Sequence, residues 1–469
     1  MIPMPTAELF KRVIIALIPL LLLLPQPDFF GIEGLSVTQQ RMLAILVMAV
    51  LFWIFEPIPI FATSVLIITA QLVLISDQGL SWLVKGEGLG VLLSHKEIMA
   101  SFASPIIILF LGGFFLAMAA SKYKLDRNLA RILLKPFGQN PRWLMLGLMV
   151  ITAIFSMFMS NTATTAMMLA ILAPVLTAFE ADDPARKGFL LGIPLAANIG
   201  GIGTPIGTPP NAIALRYLTG ENSISFAQWM GFAIPYVLIL LLLGWFLILH
   251  FYKPRKTLMN IHIEGQFEKS WQAKTVYATF IATIFLWLTA DLHGMNAYVV
   301  AMVPVAVMTA TGIVNKQDLK KMSWDILWLI AGGIALGYGL EATLLTRTLM
   351  EAAPVDILGT MGVLLFFSLA TLLMATFMSN TATANLVLPM VAVMAVNLPE
   401  IEAYGGLKVA IIIVAFSCSI GMSLPISTPP NALAYATGEL ETKDLIRVGA
   451  IVGLVGLVMV YALGWILAG

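Results

Sequence analysis

The heptapeptide Phe158-Met159-Ser160-Asn161-Thr162-Ala163-Thr164 recurs letter for letter in the second half of the chain as Phe377-Met378-Ser379-Asn380-Thr381-Ala382-Thr383. Thr208-Pro209-Pro210-Asn211-Ala212 returns as Thr428-Pro429-Pro430-Asn431-Ala432, and Gly112-Gly113 returns as Gly332-Gly333. The offset between copies is the same for the last two landmarks and differs by a single position for the first. Three landmarks in one register mark an internal duplication. The fold is decided by what lies around them.

The landmarks sit in an apolar chain. Of 469 residues, 59% are apolar and only 11% charged, and mean hydropathy is +0.94. A soluble domain carries roughly 25% charged residues, so this chain lacks the charge to cover a water-facing surface. A net charge of +1 excludes an electrostatic nucleic-acid binder, and the composition excludes disorder and collagen. Cys418 is the only cysteine, so an internal disulfide and a multi-cysteine metal site are excluded. The chain reads as a polytopic membrane protein.

A helix needs about 20 apolar residues to cross a bilayer. Ordinary spans are expected near 12–30, 40–56, 58–77, 104–121, 228–250, 275–291, 296–314, 325–345 and 446–468. The first follows Lys11 and Arg12, but Pro25-Gln26-Pro27 offers no small-residue cleavage site, so it reads as a retained span. Four other uncharged stretches behave differently. Residues 143–179 and 357–399 are each too long for one crossing, and each carries Ser-Asn-Thr near its middle. Residues 188–215 and 409–438 are interrupted by Gly, Ser and Pro. Irregular backbone survives at membrane depth only when buried in protein or lining a wet cavity. The expected architecture is therefore all-α: eleven transmembrane helices, two of them discontinuous, plus two re-entrant hairpins. With the N-terminus in the cytoplasm, 20 of the 26 basic residues fall on the cytoplasmic side, as the positive-inside rule requires. Each half then holds five spans and a hairpin. An odd number of crossings turns the second copy upside down, which makes an inverted repeat of the kind found in secondary transporters.

The motifs define a chemistry. Thr is a good N-cap and Pro is favoured at the first helical position, so Thr208-Pro209 and Thr428-Pro429 restart helices in mid-membrane. Ser160-Asn161 and Ser379-Asn380 start the return arms of the hairpins in the same way. Each helix N-terminus carries roughly half a positive charge and binds anions, so four of them offer an anion site without Lys or Arg. The Gly-rich run 200–207 and residues 421–427 expose carbonyls which, with Ser and Asn oxygens, suit a hard alkali cation such as sodium.

The four central segments contain no acidic residue, so no buried carboxylate relays protons there. Glu56, Asp291 and Asp325 fall at span ends, Glu341 lies deeper, and His95, His250, His262 and His293 occupy loops or span ends. An intramembrane hydrolase built on Ser160 or Ser379 lacks a neighbouring base, since these segments hold neither His nor Lys nor an Asp pair. An ion channel is the rival of another class, because carbonyl-lined breaks also conduct.

With its paired Ser-Asn-Thr and Thr-Pro-Pro-Asn motifs, the sequence resembles the divalent anion–sodium symporter family, which includes bacterial dicarboxylate and mammalian citrate transporters. The resemblance covers almost the whole chain and implies that it is a transporter, not an enzyme. It implies a homodimer with a static scaffold of spans one to four (residues 1–135) and seven to nine (275–350). A mobile transport domain, moving as an elevator, would comprise residues 136–252 and 351–469, with 253–274 as cytoplasmic connector. Carried over by motif, Ser160, Asn161, Thr162, Thr208, Pro209, Ser379, Asn380, Thr381, Thr428 and Pro429 would hold the substrate carboxylates. One sodium site would use Ser156, Ser160, Asn161 and Gly207, and a second Thr376, Met378, Asn380 and Ser427. The halves differ here, because Ala375 stands where the first half has Ser156, with the Thr376 hydroxyl beside it. The expected function is sodium-coupled uptake of a C4-dicarboxylate with two or more Na+. Citrate, sulfate or another divalent anion, or dicarboxylate exchange, are the alternatives within transport. The expected location is the plasma membrane (the inner membrane in a bacterium), with the C-terminus outside.

Overall fold

The computed structural model describes residues 14–468 except 16, 25–26, 28–31, 33, 87, 259–265 and 353–358. Lys11 and Arg12, much of the end of the first expected span, part of the connector and the start of the second hairpin therefore lie outside the described residues. Regular structure among the described residues is helical, apart from one isolated bridge between Ser76 and Leu93. Six of these helices are long and apolar enough to cross a membrane. Other expected spans are built from shorter apolar helices such as Ile60–Leu74 and Ala297–Ala310.

Local chemistry starts the helices. Ser36 with Gln39, and Ser225 with Gln228, form reciprocal capping boxes ahead of Val37–Phe55 and Phe226–Phe251. Pro105 and Pro141 stand at first helical positions behind Ser104 and Asn140, whose side chains accept the orphan backbone N–H groups.

The two halves of the chain pack reciprocally. Ile60–Leu74 lies along Trp324–Ala342, and Ala297–Ala310 lies along Pro105–Lys122. Lipid gives apolar helices no reason to separate from it, so close approach depends on small residues at the contact. Gly332 supplies that contact against Ser64, and Gly112, its counterpart in the first half, supplies it against Ala301; a Cβ at either would overlap its neighbour. A further landmark follows each of these glycine-bearing helices. Lys124 (φ 54°) and Leu344 (φ 57°) are left-handed residues at equivalent positions of the repeat, each opening a short amphipathic helix, Leu125–Leu134 or Leu345–Ala352. A non-glycine residue in this region costs about 1 kcal/mol, so the same sharp elbow is held in both halves at the same expense.

The remaining helices carry the motifs. Pro141–Ser156 turns into Asn161–Leu176, and Gly359–Phe377 turns into Asn380–Asn397. Ala185–Gly201 stops and resumes as Pro209–Leu215, while Gly406–Ser419 stops and resumes as Pro429–Tyr435. Phe226–Phe251 and Thr442–Ala468 pack together, joined by the Tyr236 hydroxyl donating to the Gly456 carbonyl at 3.1 Å. Both ends of the first motif pair adjoin one end of Phe226–Phe251. There the Arg142 carbonyl accepts from Trp245 Nε1 at 3.0 Å, and the Ala178 carbonyl accepts from Lys256 Nζ at 2.5 Å.

Ion pairs link segments that are distant in sequence. Arg186 pairs with Glu439 (2.5 Å), Lys187 with Glu441 and Asp444 (both 2.9 Å), and Arg255 with Asp182 (2.7 Å). Lys122 pairs with Asp318 (2.6 Å) and Lys124 with Glu268 (3.8 Å). Each pair joins segments that the charge distribution assigns to one side of the membrane.

Candidate functional site

The two breaks and the two helical turns meet at one cavity of about 540 Å³. Both Ser-Asn-Thr triplets line it, as do Gly207-Thr208-Pro209 and Ser427-Thr428-Pro429. All ten residues expected to hold a substrate are thus brought to one place from four separate segments. The opposite wall is apolar and comes from other helices, with Phe61, Phe110, Phe114 and Leu329 among its residues. Among the described residues neither Lys nor Arg lines the cavity; Asp325 is the ionisable residue in its lining.

Four helix starts face this space. Ser160 accepts from the Ala163 backbone N–H at 3.2 Å and Ser379 from that of Ala382 at 3.1 Å, so each caps its own return arm. Thr428 accepts from the Asn431 N–H at 3.3 Å, whereas the Thr208 side chain makes no such cap bond. Hydroxyls that accept from the backbone keep their own proton for donation to an anion. The partial positive charge of the helix ends adds to this.

The oxygens expected at sodium lie beside the cavity. Ser156 is fully buried, with its hydroxyl 2.6 Å from Asn161 Oδ1 and 2.7 Å from the Ala197 carbonyl. A Cβ on Gly201 would lie 2.8 Å from Asn161 Oδ1 and 2.9 Å from the Gly207 carbonyl oxygen. Two oxygens therefore converge where glycine leaves room, and the Ser156 hydroxyl contacts the first of them. The second half differs, since Ala375 replaces Ser156 and Asn380 Oδ1 is buried without a hydrogen-bond partner among the described residues. An unmatched buried acceptor costs about 1–3 kcal/mol, a cost that a cation there would remove. Thr376 and Met378 do not line the cavity. The Thr376 hydroxyl donates to the Leu372 carbonyl at 2.8 Å, and the hydroxyl near this site is that of Ser427, which donates to the Thr376 carbonyl at 2.5 Å.

Sequence reasoning missed the asparagines that hold the breaks together. Asn211 Nδ2 reaches the carbonyls of Gly201 (3.2 Å), Ile202 (3.0 Å) and Thr204 (2.8 Å). Asn431 Nδ2 donates to the carbonyls of Met422 and Leu424, both at 2.9 Å. The signal was the repeated fourth letter of Thr-Pro-Pro-Asn. Asn198 was also missed; it lines the cavity and joins the two halves. Asn211→Ala is expected to strip the donor from carbonyls at a helix end and to cost about 2–4 kcal/mol. Thermal unfolding in detergent should show a lower midpoint, and an unchanged midpoint would mean those carbonyls find other donors.

The contacts between the motif-bearing helices and Trp324–Ala342 are polar at two points. Asn385 Nδ2 donates to the Leu329 carbonyl at 2.9 Å, and the Arg216 guanidinium donates to the Ile334 carbonyl. Gly333 and Gly337 face Asn385 and Arg216 there, so this surface is narrow and backbone-lined.

An apolar helical chain whose broken helices meet at a cavity with polar helix starts on one side, and with no Lys or Arg among its described lining residues, has the arrangement of a multi-pass membrane transporter. The profile described as the sodium:sulfate symporter transmembrane region matches residues 6–468. The chain belongs to that family, the divalent anion–sodium symporters. The sodium-dependent dicarboxylate transporter SdcS of Staphylococcus saprophyticus is 30% identical over 480 residues, covering 94% of this chain and 87% of that one. An uncharacterized transporter of Schizosaccharomyces pombe is 31% identical over 446 residues, which cover 91% of this chain but 49% of that protein, so this chain spans about half its length. In fold the chain is similar to the YdaH transporter of Alcanivorax borkumensis, with a TM-score of 0.51 at 12% identity over 79% of this chain and 86% of that one.

Proposed function

We propose that this protein is a sodium-coupled symporter that imports C4-dicarboxylates such as succinate, fumarate or malate by elevator-type alternating access. The observation that carries the reading is the cavity itself, where four helix starts converge, three of them capped by Ser160, Ser379 and Thr428, and no Lys or Arg is among the described lining residues. Such a site binds a dianion only if a cation completes the positive field. The oxygens around Gly201 and the unmatched Asn380 Oδ1 are the places for that cation. Two Na+ sites, at Ser156, Ser160, Asn161 and Gly207 and at Asn380, Ser427 and the backbone of Thr376 and Met378, fit the reading.

The reciprocal glycine contacts and the paired left-handed elbows support two halves related as an inverted repeat. The motif-bearing helices then form the moving domain. Residues 1–135 and 275–350 form a scaffold through which two copies would dimerise. The apolar wall at Phe61, Phe110 and Phe114 lets a charge-compensated ligand pass without binding to it. Ser323 and Asp325 line the cavity and lie close in sequence to the basic segment 316–321, which supports a cavity reached from the side that the charge distribution makes cytoplasmic.

Sulfate is the second reading, favoured by the family's description. Carrying a unit charge along the membrane potential yields about 2.3 kcal/mol per 100 mV, so a dianion gains from the potential only with more than two Na+. Uptake of labelled succinate into proteoliposomes is expected to require a sodium gradient and to vanish when choline replaces sodium. Persistence without sodium, driven by internal dicarboxylate, would make the protein an exchanger. Sodium-dependent uptake of sulfate but not succinate would move the reading to the inorganic anion.

A further inference from the structure

We infer that Asn198 is a positioning residue that commits the Thr428 hydroxyl to donating its proton into the cavity, so that the site selects oxygen atoms carrying no proton. The inference rests on the cavity being the anion site proposed above and deepens that reading.

The argument starts from carbonyls, which only accept. Those of Met422 and Leu424 both take hydrogen bonds from Asn431 Nδ2, at 2.9 Å each. This turns Asn431 Oδ1 the other way, where Asn198 Nδ2 donates to it at 3.2 Å. The same Asn198 nitrogen donates to Thr428 Oγ1 at 3.0 Å, and the Asn431 backbone N–H also donates to that oxygen at 3.3 Å. A hydroxyl oxygen has two lone pairs and one proton. Both lone pairs of Thr428 are taken, and among the described residues its proton has no acceptor. Thr428 lines the cavity, so the proton is left for a ligand. Flipping the Asn431 amide would set its oxygen against two carbonyls, and with Asn431 so fixed, flipping Asn198 would set its oxygen against Asn431 Oδ1. The direction of donation is therefore dictated by the network and not by the assignment of either amide.

The first half lacks this relay. In the repeat register the counterpart of Asn198 is Cys418, a buried thiol. Asn211, the counterpart of Asn431, has its Oδ1 buried without a partner among the described residues, and the Thr208 side chain accepts no cap bond. One side of the cavity thus holds a committed donor and the other does not. A carboxylate or sulfate accepts from Thr428 in every orientation, whereas a carboxylic acid or hydrogen phosphate must turn an unprotonated oxygen to Thr428 and its O–H elsewhere, in a cavity where the Ser160 and Ser379 hydroxyls are also free to donate.

The test is ligand-induced thermal stabilisation of the full chain at saturating sodium, titrated with succinate at neutral pH and at a pH where succinate takes up a proton. Sulfate and phosphate at neutral pH form the second pair of probes. The unmutated protein is expected to lose affinity for succinate on acidification by more than the fall in dianion concentration on its own would cause. It is also expected to favour sulfate over phosphate. Asn198→Ala and Thr428→Val should each weaken binding about tenfold, close to 1.4 kcal/mol. The double variant should be no more than about threefold weaker than either single one, and all three should lose the sulfate preference. Thr428→Ser keeps the hydroxyl and should retain both affinity and preference. Should Asn198→Ala fail to fold, Asn198→Asp keeps the shape but offers acceptors only, drawing the Thr428 proton away from the ligand with the same loss of preference. Additive effects of the two single substitutions, or an unchanged sulfate preference in Asn198→Ala or Asn198→Asp, would overturn the relay while leaving the transport reading intact. Failure of the unmutated protein to be stabilised by succinate or sulfate would overturn both.

Discussion

Asn380→Ala is expected to abolish the sodium-dependent stabilisation of the protein by succinate while leaving it folded. Asn380 opens the return helix of the second repeat and lines the cavity beside the Ser379 cap. Its Oδ1 is buried and unpaired among the described residues, in contrast to Asn161 Oδ1, which Ser156 meets at 2.6 Å. Removing an acceptor that no protein group uses relieves a local cost, so the ligand-free protein should be no less stable. The cation that uses this oxygen loses a ligand, and the substrate loses both the amide donor and the neutralising charge. A loss of about a hundredfold in apparent succinate affinity corresponds to roughly 2.8 kcal/mol. Thermal shift with and without sodium reads this directly. Full sodium-dependent stabilisation in the variant would remove Asn380 from the site.

Gly201→Ala is expected to eliminate sodium-driven uptake, again by about a hundredfold or more. The added methyl would occupy the point 2.8 Å from Asn161 Oδ1 and 2.9 Å from the Gly207 carbonyl oxygen. Those oxygens then face carbon instead of space for an ion. Gly201 ends a helix, and alanine is favoured over glycine in helices by about 1 kcal/mol. That gain offsets part of the crowding, so the variant should fold and unfold near the normal temperature. Uptake in proteoliposomes should fall to background at every sodium concentration tested. A shifted sodium dependence with undiminished maximal rate would mean that the cation sits elsewhere.

Much of this site is legible in the sequence because capping is local chemistry. Ser160 and Ser379 accept from N–H groups three residues ahead, and Pro209 and Pro429 stand where a helix tolerates proline. No distant partner is needed to read these as helix starts, and the repeat supplies each twice. The duplication is legible for the same reason, since an offset held constant to within one position is arithmetic on the chain. Other features are settled by partners far away in sequence. Thr376 is a residue whose hydroxyl could turn toward a site or back to its own helix, and the structure has it bonded to Leu372. Ser427 then brings a hydroxyl into the neighbourhood from 51 residues away.

By itself, the sequence determined that the chain lives in a bilayer, that it is duplicated, and that four helices begin in its uncharged segments. These follow from composition, register and capping, none of which needs a contact made in the folded protein. The tertiary structure decided that the four starts share one cavity, that Asn211 and Asn431 tie the breaks together, and that Asn198 reaches Thr428 across 230 residues. Hydrogen-bond direction is a property of the completed network. A lone asparagine offers donor and acceptor alike, and only its neighbours in the folded protein choose between them.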